Sequence, residues 1–217
     1  MRPSPERIDR LQQQWWNLLR PSGAEPSAIY SAFDALATRH SEPHRHYHTL
    51  EHIAEMLRLI PRLTPAGADP FPTALAVWFH DAVYDPEAGD NEVRSAELAT
   101  DVLTRLAVPV EAVVFAAELI RSTDHRNHVA DDSRVEFAIL HDADLAILGS
   151  APARYDRYAA DIRREYVWVP QDDYRIGRSR VLRTFLDRSR IYFTPLLFEE
   201  GEAFARENLT RELASLR

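Results

Sequence analysis

The sequence predicts an all-α protein, and three observations carry that expectation. Apolar residues recur at three- and four-residue spacing along almost all of the 217 positions, the period that lines up side chains on one face of a helix. Runs that alternate apolar with polar residues, the mark of a half-buried strand, are rare. The breaks between periodic stretches carry proline, glycine and turn-forming residues.

Taken in order, PERIDRLQQQWWNLLR opens with a proline near its first turn and ends before Pro21. PSAIYSAFDALATRH starts at Pro26 or Ser27 and places Ile29, Phe33, Leu36 and Ala37 on one face. TLEHIAEMLRLIPRL holds Leu50, Ile53, Met56, Leu57 and Ile60 in register, with Thr49 as N-cap. The tract TPAGADPFP reads as a loop, and TALAVWFHDAVY as a helix that is apolar all round and therefore buried. DPEAGDN breaks the chain before NEVRSAELATDVLTRLA. VEAVVFAAELIRST, VEFAILHDADLAILG, ARYDRYAADIRREYVWV, DDYRIGRSRVLRTFLDRS and PLLFEEGEAFARENLTRELASL complete the series. About ten helices joined by loops of roughly 4 to 10 residues fit a single helical-bundle domain over the whole chain, with no linker long enough to mark a boundary.

Composition narrows the chemistry. With no cysteine there are no disulfides, thiolate metal sites, iron-sulfur clusters or Cys nucleophile, so any metal must sit on nitrogen and oxygen. Lysine is also absent, which removes Schiff-base chemistry and the phosphate-loop lysine. The six glycines are too scattered for a dinucleotide fingerprint or a nucleophile elbow. A net charge of -8 disfavours a nucleic-acid backbone and leaves a small phosphorylated ligand open. No run approaches the roughly 18 to 20 apolar residues of a membrane span, and no secretory leader is visible, so a soluble cytoplasmic protein without a membrane partner is expected.

Three polar anomalies sit on apolar faces. His80 and Asp81 follow five consecutive apolar residues in LAVWFHD; an unpaired carboxylate there costs several kcal/mol, so Asp81 needs a cation, a dense set of donors or solvent. Asp142 and Asp144 interrupt VEFAILHDADLAILG and, two apart, cannot share one face. One can turn inward while the other caps or pairs, with pairing to arginine the plain alternative. HRHYHTLEH concentrates four of the nine histidines in nine positions. His48 and His52 have the four-residue spacing that lets two rings converge on one ion or phosphate, whereas His44 and His46 precede the helix and read as solvated or capping residues.

The order His52, His80-Asp81, Asp142 resembles the His, His-Asp, Asp pattern of the HD-domain superfamily of metal-dependent phosphohydrolases. RHYHTLEHI, WFHDAVYD, DNEVRSAELA and LHDADLAILG together are similar to a bacterial group of predicted HD phosphohydrolases, over about residues 44 to 165. That resemblance implies a helical bundle in which His52, His80, Asp81 and Asp142 ligate one divalent ion or anchor a pair. It also implies a supporting role for Asp144, a proton-donating role for His48, as in the Tyr-His-Asn-x-x-His stretch of cyclic-nucleotide phosphodiesterases, and a phosphate- or second-metal-binding role for His125.

The ligand set suits Mn, Fe, Co, Ni, Mg or Zn without choosing among them. Such an ion would polarise a phosphoryl oxygen and activate a water. Glu92, with Asp85 and Glu51, is a candidate for orienting or deprotonating that water, although a helix N-terminal acid favoured by the dipole explains Glu92 equally well. Arg45, Arg121 and Arg126 either neutralise phosphate charge or are surface arginines. The function expected is hydrolysis of a small phosphorylated molecule, a nucleotide being one class. A di-iron oxygenase of the same superfamily and a non-catalytic metal-binding regulatory module are the alternatives.

Overall fold

The computed structural model describes residues 4–124 and 134–216. Among them the chain forms ten α-helices and no strand: α1 (Pro5–Leu19), α2 (Pro26–Arg39), α3 (Leu50–Leu63), α4 (Phe71–Phe79), α5 (Asn91–Arg105), α6 (Val110–Arg121), α7 (Val135–Leu145), α8 (Pro152–Glu165), α9 (Gln171–Leu186) and α10 (Pro195–Ser215). No helix among the described residues is long and apolar enough to cross a membrane. The chain resolves into two compact units, Met1–Leu140 and His141–Arg217. The division falls inside α7 and so has no linker to announce it.

The helix starts follow local chemistry. Proline occupies the first turn of α1, α2, α4, α8 and α10, where its missing N–H is no loss and its fixed φ suits a helix. Thr49 caps α3, its hydroxyl accepting from Glu51 N. The expected loop before the fourth helix is shorter than its composition suggests, because Phe71 and Pro72 already belong to α4. That helix also stops earlier than the apolar run does, at Phe79, and residues 80–84 turn away. Apolar periodicity could not find this end, because Ala82 remains buried beyond it.

In the first unit, α4 is the central element and packs against α3, α5 and α6. Its Leu75, Ala76, Val77, Trp78 and Phe79 are all buried. Trp78 meets Trp15 of α1 edge-on at 5.3 Å and Phe33 of α2 at 6.0 Å, while the Trp15 indole N–H donates to the Ile29 carbonyl at 2.8 Å. Large rings fill the volume and the Trp15 indole nitrogen finds an acceptor, as burial requires.

In the second unit, α10 packs on α8, α9 and the 3-10 turn Ala146–Gly149. Gly149 is needed at the crossing: a Cβ there would stand 2.9 Å from the Gly201 carbonyl oxygen and 3.0 Å from the Tyr192 hydroxyl. A buried ionic cluster fixes the far end of α10. The Arg178 guanidinium grips both Glu212 oxygens, at 2.7 and 3.0 Å, and the Tyr155 hydroxyl donates to the same carboxylate. Burial, reinforced by the Glu212 charge, pushes the Tyr155 phenol well above its ordinary range, so it remains a donor.

Candidate metal centre

The end of α4 and the first turn of α3 bring together His52, His80 and Asp81, whose potential ligand atoms all lie within 4.8 Å of one another. His52 and His80 are 3% and 2% exposed, while the Asp81 side chain keeps 19% of its surface open. The two imidazoles face each other with Nε2 atoms 3.3 Å apart, and His80 Nε2 stands 3.0 Å from Asp81 Oδ2. On its other side, His80 Nδ1 is 2.9 Å from the Val77 carbonyl oxygen. A carbonyl can only accept, so Nδ1 carries a proton, and a neutral His80 presents the lone pair of Nε2 to Asp81 and His52. The His80 Nε2 lone pair and the Asp81 carboxylate oxygen thus face each other at 3.0 Å, an arrangement that a cation placed between them would stabilise.

The donor set fits a divalent ion. Neighbouring donors held at about 2.0 to 2.2 Å from one ion stand roughly 3.0 Å apart in octahedral geometry and about 3.4 Å apart in tetrahedral geometry, and the 3.0 and 3.3 Å separations fall in that range. The Val77 carbonyl behind His80 fixes ring orientation and tautomer, the usual arrangement behind a metal-binding imidazole.

His48 lies beside the group without belonging to α3, because Thr49 is the cap and the helix begins at Leu50. The expectation of two rings stacked on one helix face is therefore corrected in detail. The His48 and His52 rings still come within 6.0 Å, nearly perpendicular, and His48 Nε2 is 4.0 Å from Asp81 Oδ2. At 18% side-chain exposure His48 retains access to solvent. His44 is exposed and engages the Tyr84 carbonyl at 2.9 Å, in keeping with its reading as a peripheral residue.

Several expected roles change. Arg45 is neither a surface residue nor free to meet a phosphate: its side chain is fully buried and committed to backbone carbonyls. Glu51 pairs with Arg7 at 3.4 Å, and exposed Asp85 builds its own turn by accepting from Glu87 N. Glu92 lies in the first turn of α5, the position the helix dipole favours for an acid. The DNEVRSAE motif has a clear local use: Asn91 bonds both backbone groups of Asp85, and the Ser95 hydroxyl bonds both of Val83. These contacts hold the segment that follows Asp81. Arg121 is exposed at the end of α6, and His125 and Arg126 lie outside the described residues.

Asp142, the fourth ligand implied by the resemblance, belongs to the second unit and is completely buried there. Its carboxylate accepts from Phe193 N at 3.0 Å, from Thr194 N at 2.7 Å and from the Thr194 hydroxyl at 2.6 Å. His141 Nδ1 lies 3.1 Å from its Oδ1, and Arg188 donates to His141 Nε2 at 3.2 Å. Asp144 is half-buried, so the two acids do face differently, as their spacing requires. Thr194, directly before Pro195, has the sequence position of an N-cap, yet its hydroxyl makes no capping bond and serves Asp142 instead.

A further residue escaped the sequence. His40 is 2% exposed, and neither ring nitrogen makes a hydrogen bond of good geometry, a weak contact with the Trp78 backbone apart. Burial, together with the Arg45 charge, lowers its pKa to about 3, against a smaller upward pull from Asp81. It is a neutral imidazole in the first unit, and nothing in the neighbouring sequence marks it as buried. Comparison with known proteins found no matching family model, curated protein or solved structure.

Proposed function

We propose that this protein is a metal-dependent phosphohydrolase of the HD type, acting on a small phosphorylated substrate. What carries the reading is the convergence of His52 Nε2, His80 Nε2 and an Asp81 oxygen, with the His80 proton drawn to the opposite side of its ring by Val77. A divalent ion held by His52, His80 and Asp81 would supply Lewis acidity toward a phosphoryl oxygen and a more acidic water. The protein supplies the rest. His80 and His52 supply buried nitrogen donors, and Asp81 contributes the negative charge that favours a divalent ion. His48, outside the helix and partly exposed, is placed to give a proton to the leaving oxygen. The order of motifs over residues 44 to 165 agrees with this assignment, and nucleotides are one substrate class it accommodates.

The test is metal analysis of the purified protein, followed by a phosphoester screen with Mn, Mg, Ni and Co. Turnover should require the metal, disappear with chelator, and fall by at least about 1,000-fold in Asp81→Ala, the loss expected when transition-state charge stabilisation is removed. Phosphate release indifferent to both treatments would end the hydrolase reading. Product formation that consumes dioxygen would replace it with an oxygenase.

A further inference from the structure

Arg45 is unusual among the arginines of this chain. Its side chain has no solvent exposure, and an arginine buried so completely must satisfy its guanidinium inside the protein or destabilise the fold. It does so mainly with backbone. Nη1 donates to the Asp81 carbonyl at 2.6 Å and the His48 carbonyl at 3.3 Å, Nη2 donates to the Ala82 carbonyl at 3.3 Å, and Nε donates to Glu42 at 2.9 Å.

Those acceptors lie on the two segments that supply the candidate ligands. Asp81 and Ala82 lie just beyond His80, the C-cap of α4, where a cation complements the helix dipole. His48 immediately precedes the cap of α3, one turn before His52. A planar fork bonded to both segments sets the distance between them and fixes the peptide plane of Asp81 itself. A lysine, with a single ammonium, cannot bridge such divergent acceptors in the same way.

We infer that Arg45 is a positioning residue of the metal centre, holding the Asp81 carboxylate and the His48–His52 segment at the spacing one cation needs. This rests on the reading that His52, His80 and Asp81 bind a metal. Full-length metal-free wild type, Arg45→Lys and Glu42→Gln should be titrated with Co2+ while its visible absorption, which reports coordination geometry, is followed. Wild type should bind saturably. Arg45→Lys should bind about 10- to 100-fold more weakly, the usual loss when a residue behind a metal ligand is changed, and with an altered spectrum. Glu42→Gln, which weakens the one acidic anchor of the guanidinium at a partly exposed position, should show a smaller change of the same sign.

A purely structural brace would lower the melting temperature of Arg45→Lys and leave Co2+ affinity and spectrum at wild-type values; that result overturns the inference and spares the metal site. Wild type that binds no Co2+ overturns the site reading and this inference with it. Should Arg45→Lys fail to fold, Glu42→Gln decides, and unchanged affinity and spectrum there overturn the inference.

Discussion

His-Asp occurs at 80–81 and again at 141–142, once in each compact unit, and the two copies do opposite things with their protons. At 141, Arg188 donates to Nε2, so the proton of a neutral ring sits on Nδ1 and is given to Asp142. At 80, Val77 takes the proton of Nδ1, so the ring turns a lone pair toward Asp81. Asp142 is fully buried amid donors from Phe193 and Thr194, whereas Asp81 is partly open and faces imidazole nitrogens. A carboxylate surrounded by N–H and O–H groups is already stabilised by the protein. A carboxylate that meets an imidazole lone pair gains from a cation placed between them. The dipeptide carries neither meaning by itself; the atom behind the histidine does.

The sharpest way to break this comparison is to truncate both acids in metal-free protein and measure unfolding in urea. Asp142→Ala leaves several buried donors unsatisfied and should cost about 3 to 5 kcal/mol. Asp81→Ala removes a partly solvent-exposed carboxylate that faces the His80 lone pair and should cost less, about 1 kcal/mol. Equal losses would erase the distinction. A finer cut is Thr194→Val, which keeps the side-chain shape and deletes only the hydroxyl that donates to Asp142. A hydrogen bond to a buried charged group puts the expected loss near 2 kcal/mol, again in urea. A change within experimental error would mean that the two backbone donors suffice.

The smallest effect concerns pH. The His40 pKa in the folded protein, about 3, lies below its ordinary 6.5, so as pH falls the unfolded chain takes up this proton first. Its contribution is intact above about pH 6.5 and is lost progressively down to about pH 3. Between pH 7 and pH 5.5 wild type should lose roughly 1 kcal/mol more than His40→Leu does, measured on metal-free protein by thermal or urea unfolding at each pH. Parallel stability curves for the two proteins would refute the assignment of a buried neutral imidazole.

The helices were largely legible because their signals are local. Apolar spacing, first-turn prolines and the Thr49 cap placed nearly every start within a residue or two, since each acts over three or four positions. The end of α4 was not legible, because burial of Ala82 continues the apolar pattern where the backbone no longer does. His80 and Asp81 could be picked out as polar groups set in apolar surroundings, and His52 by its four-residue spacing from His48. Arg45 could not, because a buried arginine and a surface arginine look alike until their acceptors, 36 and 37 residues away, are known.

By itself, then, the sequence determined the all-helical class, the exclusion of thiolate and lysine chemistry, and a short set of nitrogen and oxygen donors worth watching. Only the tertiary structure decided that His52, His80 and Asp81 meet, which way His80 and His141 direct their protons, and that Thr194, 52 residues beyond Asp142, leaves its own helix uncapped to satisfy that acid. Helix signals depend on neighbours within one turn, whereas the state of a buried carboxylate depends on whichever groups the fold brings within about 3 Å of it, and sequence distance carries no record of that approach.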